Sequence, residues 1–156
     1  MPLTNFVPGE AQTNPDVLQA IILASEQFSI VASQDIVDIR GLKLWAKGRP
    51  VSAALQQRLL ERKLLHPLEA CLVAEDGVTP FTLLEQFTAL MNQDNSLAKA
   101  LQSSAALLEE HLKQIPLHAV AQLLLTTAFA TRPETLPHAV AGMALAGAIA
   151  HAQSTP

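Results

Sequence analysis

The stretch from Asp35 to Cys71, DIVDIRGLKLWAKGRPVSAALQQRLLERKLLHPLEAC, is where the pattern of this chain departs from helix. β-Branched residues gather just ahead of it and within it, at Ile30, Val31, Ile36, Val37 and Ile39. Their stiff side chains favour a pleated backbone. Arg40-Gly41 predicts a tight turn, because glycine takes a positive φ without steric cost. The returning run, Leu42 to Lys47, alternates with a period of two. That period sends Leu42, Leu44 and Ala46 toward a core and sets Lys43, Trp45 and Lys47 on the outer face. An aromatic ring between two cations suits contact with a partner or a nucleotide base, so Lys43, Trp45 and Lys47 are the candidate partner-binding residues. The plainer alternative has Trp45 covering neighbouring helices with the lysine stems alongside.

Gly48-Arg49-Pro50 ends the strand, and Ser52 is placed to cap a helix. Leu55, Leu59, Leu60 and Leu64 would form its inner face, opposite Gln56, Gln57, Arg58, Glu61, Arg62 and Lys63. The run from Arg58 to Lys63 then reads as a solvated helix face, or as a basic docking edge. Pro67 stops this helix, and Leu68 to Val73 reads as a short continuation before the loop Glu75-Asp76-Gly77.

The remainder reads as helix. Residues 1–14 are polar and broken by Pro2, Pro8 and Gly9, which predicts a flexible tail. Asn14 caps a helix opened by Pro15 and running to about Glu26. Beyond the loop, Thr79 and Pro80 start a helix carrying Leu83, Leu84, Phe87, Leu90 and Met91 inward. Asp94 or Asn95 starts another, with Leu97, Leu101, Ala105, Leu108 and Leu112 along one side. Leu117 to Phe129 is apolar on nearly every side, which predicts a central position. Leu136 to about Ala152 forms the last helix, with small residues at Ala139, Gly142, Ala146 and Ala150 for close helix approach.

Hydrophobic residues are 49% of the chain, mostly Leu and Ala, with no Tyr and one Trp, so the core is expected to be aliphatic and helical. The expected fold class is α+β, mainly α: a small antiparallel hairpin with a packed helix, then a bundle of about four helices. Residues 15–75 hold the lead helix and the hairpin-and-helix module, and residues 76–156 hold the bundle.

Several function classes are excluded or disfavoured. A net charge of −4 without a block of like charges disfavours nucleic acid and anionic membranes as partners. The stretch Leu136 to Ala152 falls short of the ~20 residues that span a bilayer. One cysteine, Cys71, allows no internal disulfide and suits a reducing, cytoplasmic setting. The opening lacks a basic region before its apolar residues, unlike a secretory signal. A protein partner or self-association is the expectation that remains.

No catalytic constellation is complete. The five histidines, His66, His111, His118, His138 and His151, include no i, i+4 pair on one helix, and a metal site needs three or more convergent ligands. There is no phosphate-cradling glycine loop and no serine elbow. Cys71, between Ala70 and Leu72, reads as a buried, inert thiol. The expected catalytic and cofactor-binding sets in this chain are empty.

The stretch Asp35-Ile36-Val37-Asp38-Ile39-Arg40-Gly41-Leu42-Lys43-Leu44, followed by Gly48 and Val51-Ser52, resembles the accessory region ahead of the catalytic domain in bacterial HD-domain signalling phosphohydrolases. That group includes the HD-GYP cyclic-di-GMP phosphodiesterases. Arg58 to Leu64 and Pro67-Leu68-Glu69 fit the same region. Leu136-Pro137-His138-Ala139-Val140 resembles the opening helix of an HD domain. The resemblance implies a regulatory or sensory, non-catalytic portion of a metal-dependent phosphohydrolase. It makes His138 the position of the family's first metal ligand. The family's His-Asp dyad has no counterpart here, so a divalent metal is implied only where a complete HD domain follows. A stand-alone helical protein-interaction module is the second reading.

Overall fold

In the computed structural model, which describes residues 11–154, the chain is a mainly helical α+β protein. Among the described residues it has seven α-helices and three two-stranded antiparallel sheets. The first elements are β1 (Ala11–Gln12), α1 (Pro15–Ser25), β2 (Ile30–Ala32), β3 (Ile36–Val37), β4 (Lys43–Trp45), α2 (Ala53–Leu59), β5 (Lys63–Leu64) and β6 (Leu72–Ala74). There follow α3 (Pro80–Met91), α4 (Ser96–Leu101), α5 (Ala105–Gln114), α6 (Ala119–Thr131) and α7 (Thr135–Ser154). The chain forms two compact units. The first runs to Gly77 and takes in Ala119–Thr131; the second holds Val78–His118 and resumes at Arg132.

In the first unit, the Asn14 side chain accepts the Asp16 amide at 2.9 Å and caps α1. This satisfies one of the amides that a helix start leaves without a partner. Leu18, Ile21, Ile22 and Ala24 are the buried residues of α1. They join a core built with Ile30, Ile36, Trp45, Leu55, Leu64 and Leu72. β2 pairs with β6, Ile30 opposite Ala74 and Ala32 opposite Leu72.

Three expectations change in this unit. Ala11–Gln12, inside the expected flexible tail, form β1 opposite Lys63–Leu64, while residues 1–10 of that tail lie outside the described residues. The segment Leu68 to Val73 does not continue a helix. A single 3-10 turn at Leu68–Cys71 gives way to β6, whose backbone groups are taken up by β2. The helix expected to reach Leu64 ends at Leu59 instead. Leu60 leaves the helix at ψ 125 and Glu61 takes a left-handed φ of 59, which turns Lys63–Leu64 into strand pairing with β1. Leu64 is thereby fully buried, and Leu60, expected inside, is 62% exposed.

Helix α6, expected at the centre of the bundle, packs in the first unit against α1 and β6. Leu123 enters that unit's core, and the rings of Phe28 and Phe129 stand 6.2 Å apart. A helix apolar on nearly every side carries no local signal of which core it will join.

In the second unit, Thr79 and Thr82 form a reciprocal cap at the start of α3, each hydroxyl accepting the other's amide, with Pro80 in the first turn. Asn95 caps α4 by accepting the Ala98 amide at 2.8 Å. The single helix expected across Leu97 to Leu112 is broken by a 3-10 turn at Gln102–Ser104. On α7 the buried residues are Leu136, Val140 and Ala144, four apart along one face. The close approach of α7 to α5 falls at Gly147, where a Cβ would lie 2.9 Å from Leu108 Cδ2. Gly142 has open space around it. Among the described residues no helix is long and apolar enough to cross a membrane.

Candidate functional site

The face expected to carry Lys43, Trp45 and Lys47 does not form as one surface. Trp45 is 2% exposed and lies in the core, and Leu44 beside it is buried too. The register shift between Ile36 and Val37 against β4 breaks strict alternation, so neighbouring residues both turn inward while Leu42, expected inside, is 52% exposed. The Trp45 indole N–H donates to the Arg49 carbonyl at 3.3 Å, and the Arg49 guanidinium lies 3.6 Å above the ring. A cation stacked on the ring face shields it further. Lys43 and Lys47 do remain exposed. Both are tied to Asp35: the Lys43 ammonium pairs with Oδ2 at 2.9 Å, and the Lys47 amide donates to Oδ1 at 2.7 Å. The Lys47 amide, then the Lys43 side chain, hold the Asp35 carboxyl below its ordinary pKa.

Three residues further on, Asp38 organises the hairpin tip. It is 3% exposed. Its Oδ1 accepts the amides of Arg40 and Leu42, each at 2.9 Å, and its Oδ2 accepts Arg62 Nη1 at 3.1 Å. Gly41, at φ 83, closes the turn and donates to the Asp38 carbonyl at 2.9 Å. The Leu42 amide, helped by the Arg40 amide and the Arg62 side chain, lowers the Asp38 pKa against the opposing effect of burial. The tip is stitched to β5 by the Ile39 amide, which donates to the Lys63 carbonyl at 3.0 Å.

A cleft of about 670 Å³ opens between the tip and the turn from α2 to β5, lined by Asp38, Ile39, Arg40, Leu60, Glu61, Arg62 and Lys63. Ile39 is 44% exposed, and with Leu42 and Leu60 it sets aliphatic side chains beside the exposed Arg40, Arg62 and Lys63. Sequence reasoning offered Arg58 to Lys63 as a basic docking edge, but it kept that run on a helix with Leu60 inward and so missed the aliphatic part of this surface and its junction with the hairpin tip. A signal was present nonetheless: seven of the ten Lys and Arg residues fall between Arg40 and Lys63, with Glu61 the single acid among them.

His138 lies in the first turns of α7, exposed, its amide donating to the Glu134 carbonyl at 3.4 Å. All five histidines are exposed. Among the described residues no group of three or more His, Cys, Asp or Glu is placed to hold a metal ion, so these residues do not by themselves fit the divalent metal that the HD resemblance implies. His111 and His151 line an apolar groove of about 820 Å³ between α5 and α7, alongside Leu112, Met143 and Gly147. Cys71 is 1% exposed; burial pushes its thiol up, and the Gln34 amide donates to the sulfur at 3.2 Å.

Comparison with protein-family models, with curated proteins and with solved structures found no match to this chain.

Proposed function

We propose that this chain is a non-catalytic accessory portion of an HD-type metal-dependent phosphohydrolase of bacterial nucleotide signalling, with a regulatory or protein-interaction task in the cytoplasm. The observation that carries the non-catalytic part is the commitment of Asp38. Its two oxygens are taken up by two backbone amides and Arg62. A carboxylate acting as base or metal ligand must present a lone pair to a reactant. Other residues of the HD-like pattern have similar architectural tasks: Asp35 holds the Lys47 amide, and Gly41 and Gly48 supply positive φ. The pattern thus supports a folding signature that shapes a surface. The link to HD chemistry rests on the resemblance of Asp35 to Ser52 and of Leu136 to Val140.

The exposed aliphatic and basic residues at the hairpin tip favour a second reading, a stand-alone helical protein-interaction module, since such a surface needs no HD chemistry beside it. Two measurements test the proposal. Sequencing the DNA on both sides of the coding segment should reveal a His-Asp motif in the same or a neighbouring reading frame. Its absence would overturn the HD association and leave the stand-alone module. Incubating the purified chain with cyclic di-GMP and Mn²⁺ should give no hydrolysis; turnover that survives further purification would overturn the non-catalytic assignment.

A further inference from the structure

We infer that β1 is an exchangeable strand: Ala11–Gln12 of one chain leaves its own β5 and pairs with β5 of a second copy, giving a reciprocal dimer. The inference goes beyond the proposed function and does not rest on the HD association. Its first support is the way β5 is held. The Leu65 amide donates to the Val37 carbonyl at 3.0 Å, and the Ile39 amide donates to the Lys63 carbonyl at 3.0 Å. Both bonds run toward β3. In an antiparallel ladder the backbone groups of the residue between them point the other way. The Leu64 N–H and C=O therefore face β1, where Ala11 stands opposite Leu64. Leu64 is 0% exposed, so this edge is closed over, yet the strand that closes it is two residues long. An edge relieved of its partner presents backbone groups that are a template for another strand.

The second support is the connection from β1 to α1. Thr13 and Asn14 are all that separates the two elements. Asn14 is committed to the helix: its side chain accepts the Asp16 amide at 2.9 Å. Pro15 after it favours the extended backbone that Asn14 has, φ −67 and ψ 121. Re-aiming β1 thus falls on Thr13. Its hydroxyl oxygen is buried and, among the described residues, has no hydrogen-bond partner. A buried hydroxyl left unpaired bears the cost of its lost water. The closed arrangement carries that cost at its hinge, and turning Thr13 outward relieves it. Exchange remakes the pairing of the strand and changes the hinge alone, so a short hinge that is costly when closed favours it.

A second copy is favoured over an unrelated strand because it brings the sequence and register already seated at this edge. It also offers its own β5 in return, so the exchange closes as a two-fold dimer.

Mixed cysteine variants of the full chain test the inference. Gln12 stands opposite Lys63 and both are exposed, so substitution there leaves the core intact. Since Leu64 holds the bonded position, Gln12 and Lys63 form a non-bonded pair, whose Cα atoms come to about 4.5 Å, within reach of a disulfide. Cys71 is buried and stays in place, and peptide mapping identifies the joined positions. Chains with Gln12→Cys are mixed at high concentration with chains bearing Lys63→Cys, then diluted and oxidised. Disulfides joining position 12 to position 63 should exceed those joining like positions at least about tenfold, and should rise with the concentration during mixing. A chain with both substitutions, oxidised as the monomer, should remain monomeric on sizing where its reduced form dimerises. Equal yields of like and unlike disulfides would overturn the inference. So would a reduced chain that stays monomeric at millimolar concentration, or a dimer that persists in the locked chain, since that dimer uses another surface.

Discussion

Arg62 Nη1 lies 3.1 Å from Asp38 Oδ2 and so ties the α2–β5 turn to a hairpin tip 24 residues earlier in the chain. The same carboxylate gathers two amides of the tip, so one side chain holds both walls of the cleft.

Acid should loosen that arrangement first. The Asp38 carboxyl titrates below its ordinary value of 3.8 in the folded protein, and Asp35 is shifted in the same direction. In the folded state these groups bind protons less readily than in the unfolded chain. Their stabilisation is therefore complete above the ordinary value and is lost as pH falls through the lower folded values. Melting temperature should be level near neutral pH and fall below about pH 4. Asp38→Asn should melt lower at neutral pH and show a shallower acid limb, with the remaining slope due partly to Asp35. Thermal melts across this range, read by circular dichroism, check both; an unchanged acid limb in Asp38→Asn would remove Asp38 from the account.

Trp45→Ala should cost about 3–5 kcal/mol, the range for deleting a large aromatic side chain from a core. Arg49→Ala, which removes the exposed cation stacked on the ring, should cost about 1 kcal/mol or less. Urea denaturation measures both. As Trp45 is the single tryptophan, its emission reports on the same site, and a blue-shifted folded spectrum is expected. A loss under about 1 kcal/mol for Trp45→Ala would return the ring to the surface.

Two glycine substitutions should have opposite signs. A Cβ at Gly77 would lie 2.8 Å from Thr126 Cβ and 2.6 Å from its Cγ2, in the buried contact with α6. Gly77→Ala should destabilise by about 1–3 kcal/mol, as overpacking does. A Cβ at Gly142, within α7, meets nothing within 4 Å. Gly142→Ala should stabilise by about 0.5–1 kcal/mol through helix propensity. Parallel denaturation curves decide the pair, and equal signs would contradict the packing described.

Cys71 should react slowly with thiol reagents in the folded protein. Its thiol is 1% exposed and its pKa is raised by burial, so little reactive thiolate is present at neutral pH. Urea should accelerate labelling to the rate of a free cysteine. Rapid labelling without denaturant would show that the 3-10 turn at Leu68–Cys71 opens readily.

Much was legible in the sequence wherever a few adjacent residues decide the outcome. Asn14 with Pro15 and Thr79 with Pro80 mark helix starts because cap and first turn are bonded within three residues. Arg40-Gly41 marks the hairpin turn because positive φ is a property of glycine itself. The Leu- and Ala-rich composition, joined to one β-branched stretch, determined a mainly helical α+β protein.

Only the tertiary structure decided which side chains face inward at the hairpin, where α2 stops and which core α6 joins. A shift of pairing between Ile36 and Val37 lets Trp45 turn inward beside Leu44 while Leu42 faces out, and nothing in Leu42 to Lys47 encodes that shift. Pairing of Lys63–Leu64 with Ala11–Gln12 stops α2, although the partners lie some fifty residues apart. Helix α6 takes its place from long-range contacts with α1 and β6 that its own all-round apolar surface does not specify. Local bonds are written in neighbouring residues; long-range pairing depends on surfaces that exist only once the chain has folded. For that reason the alternation of Leu42 to Lys47 put Trp45 on the outer face of its strand and the helical spacing put Leu60 inside, whereas the fold buries Trp45 and exposes Leu60.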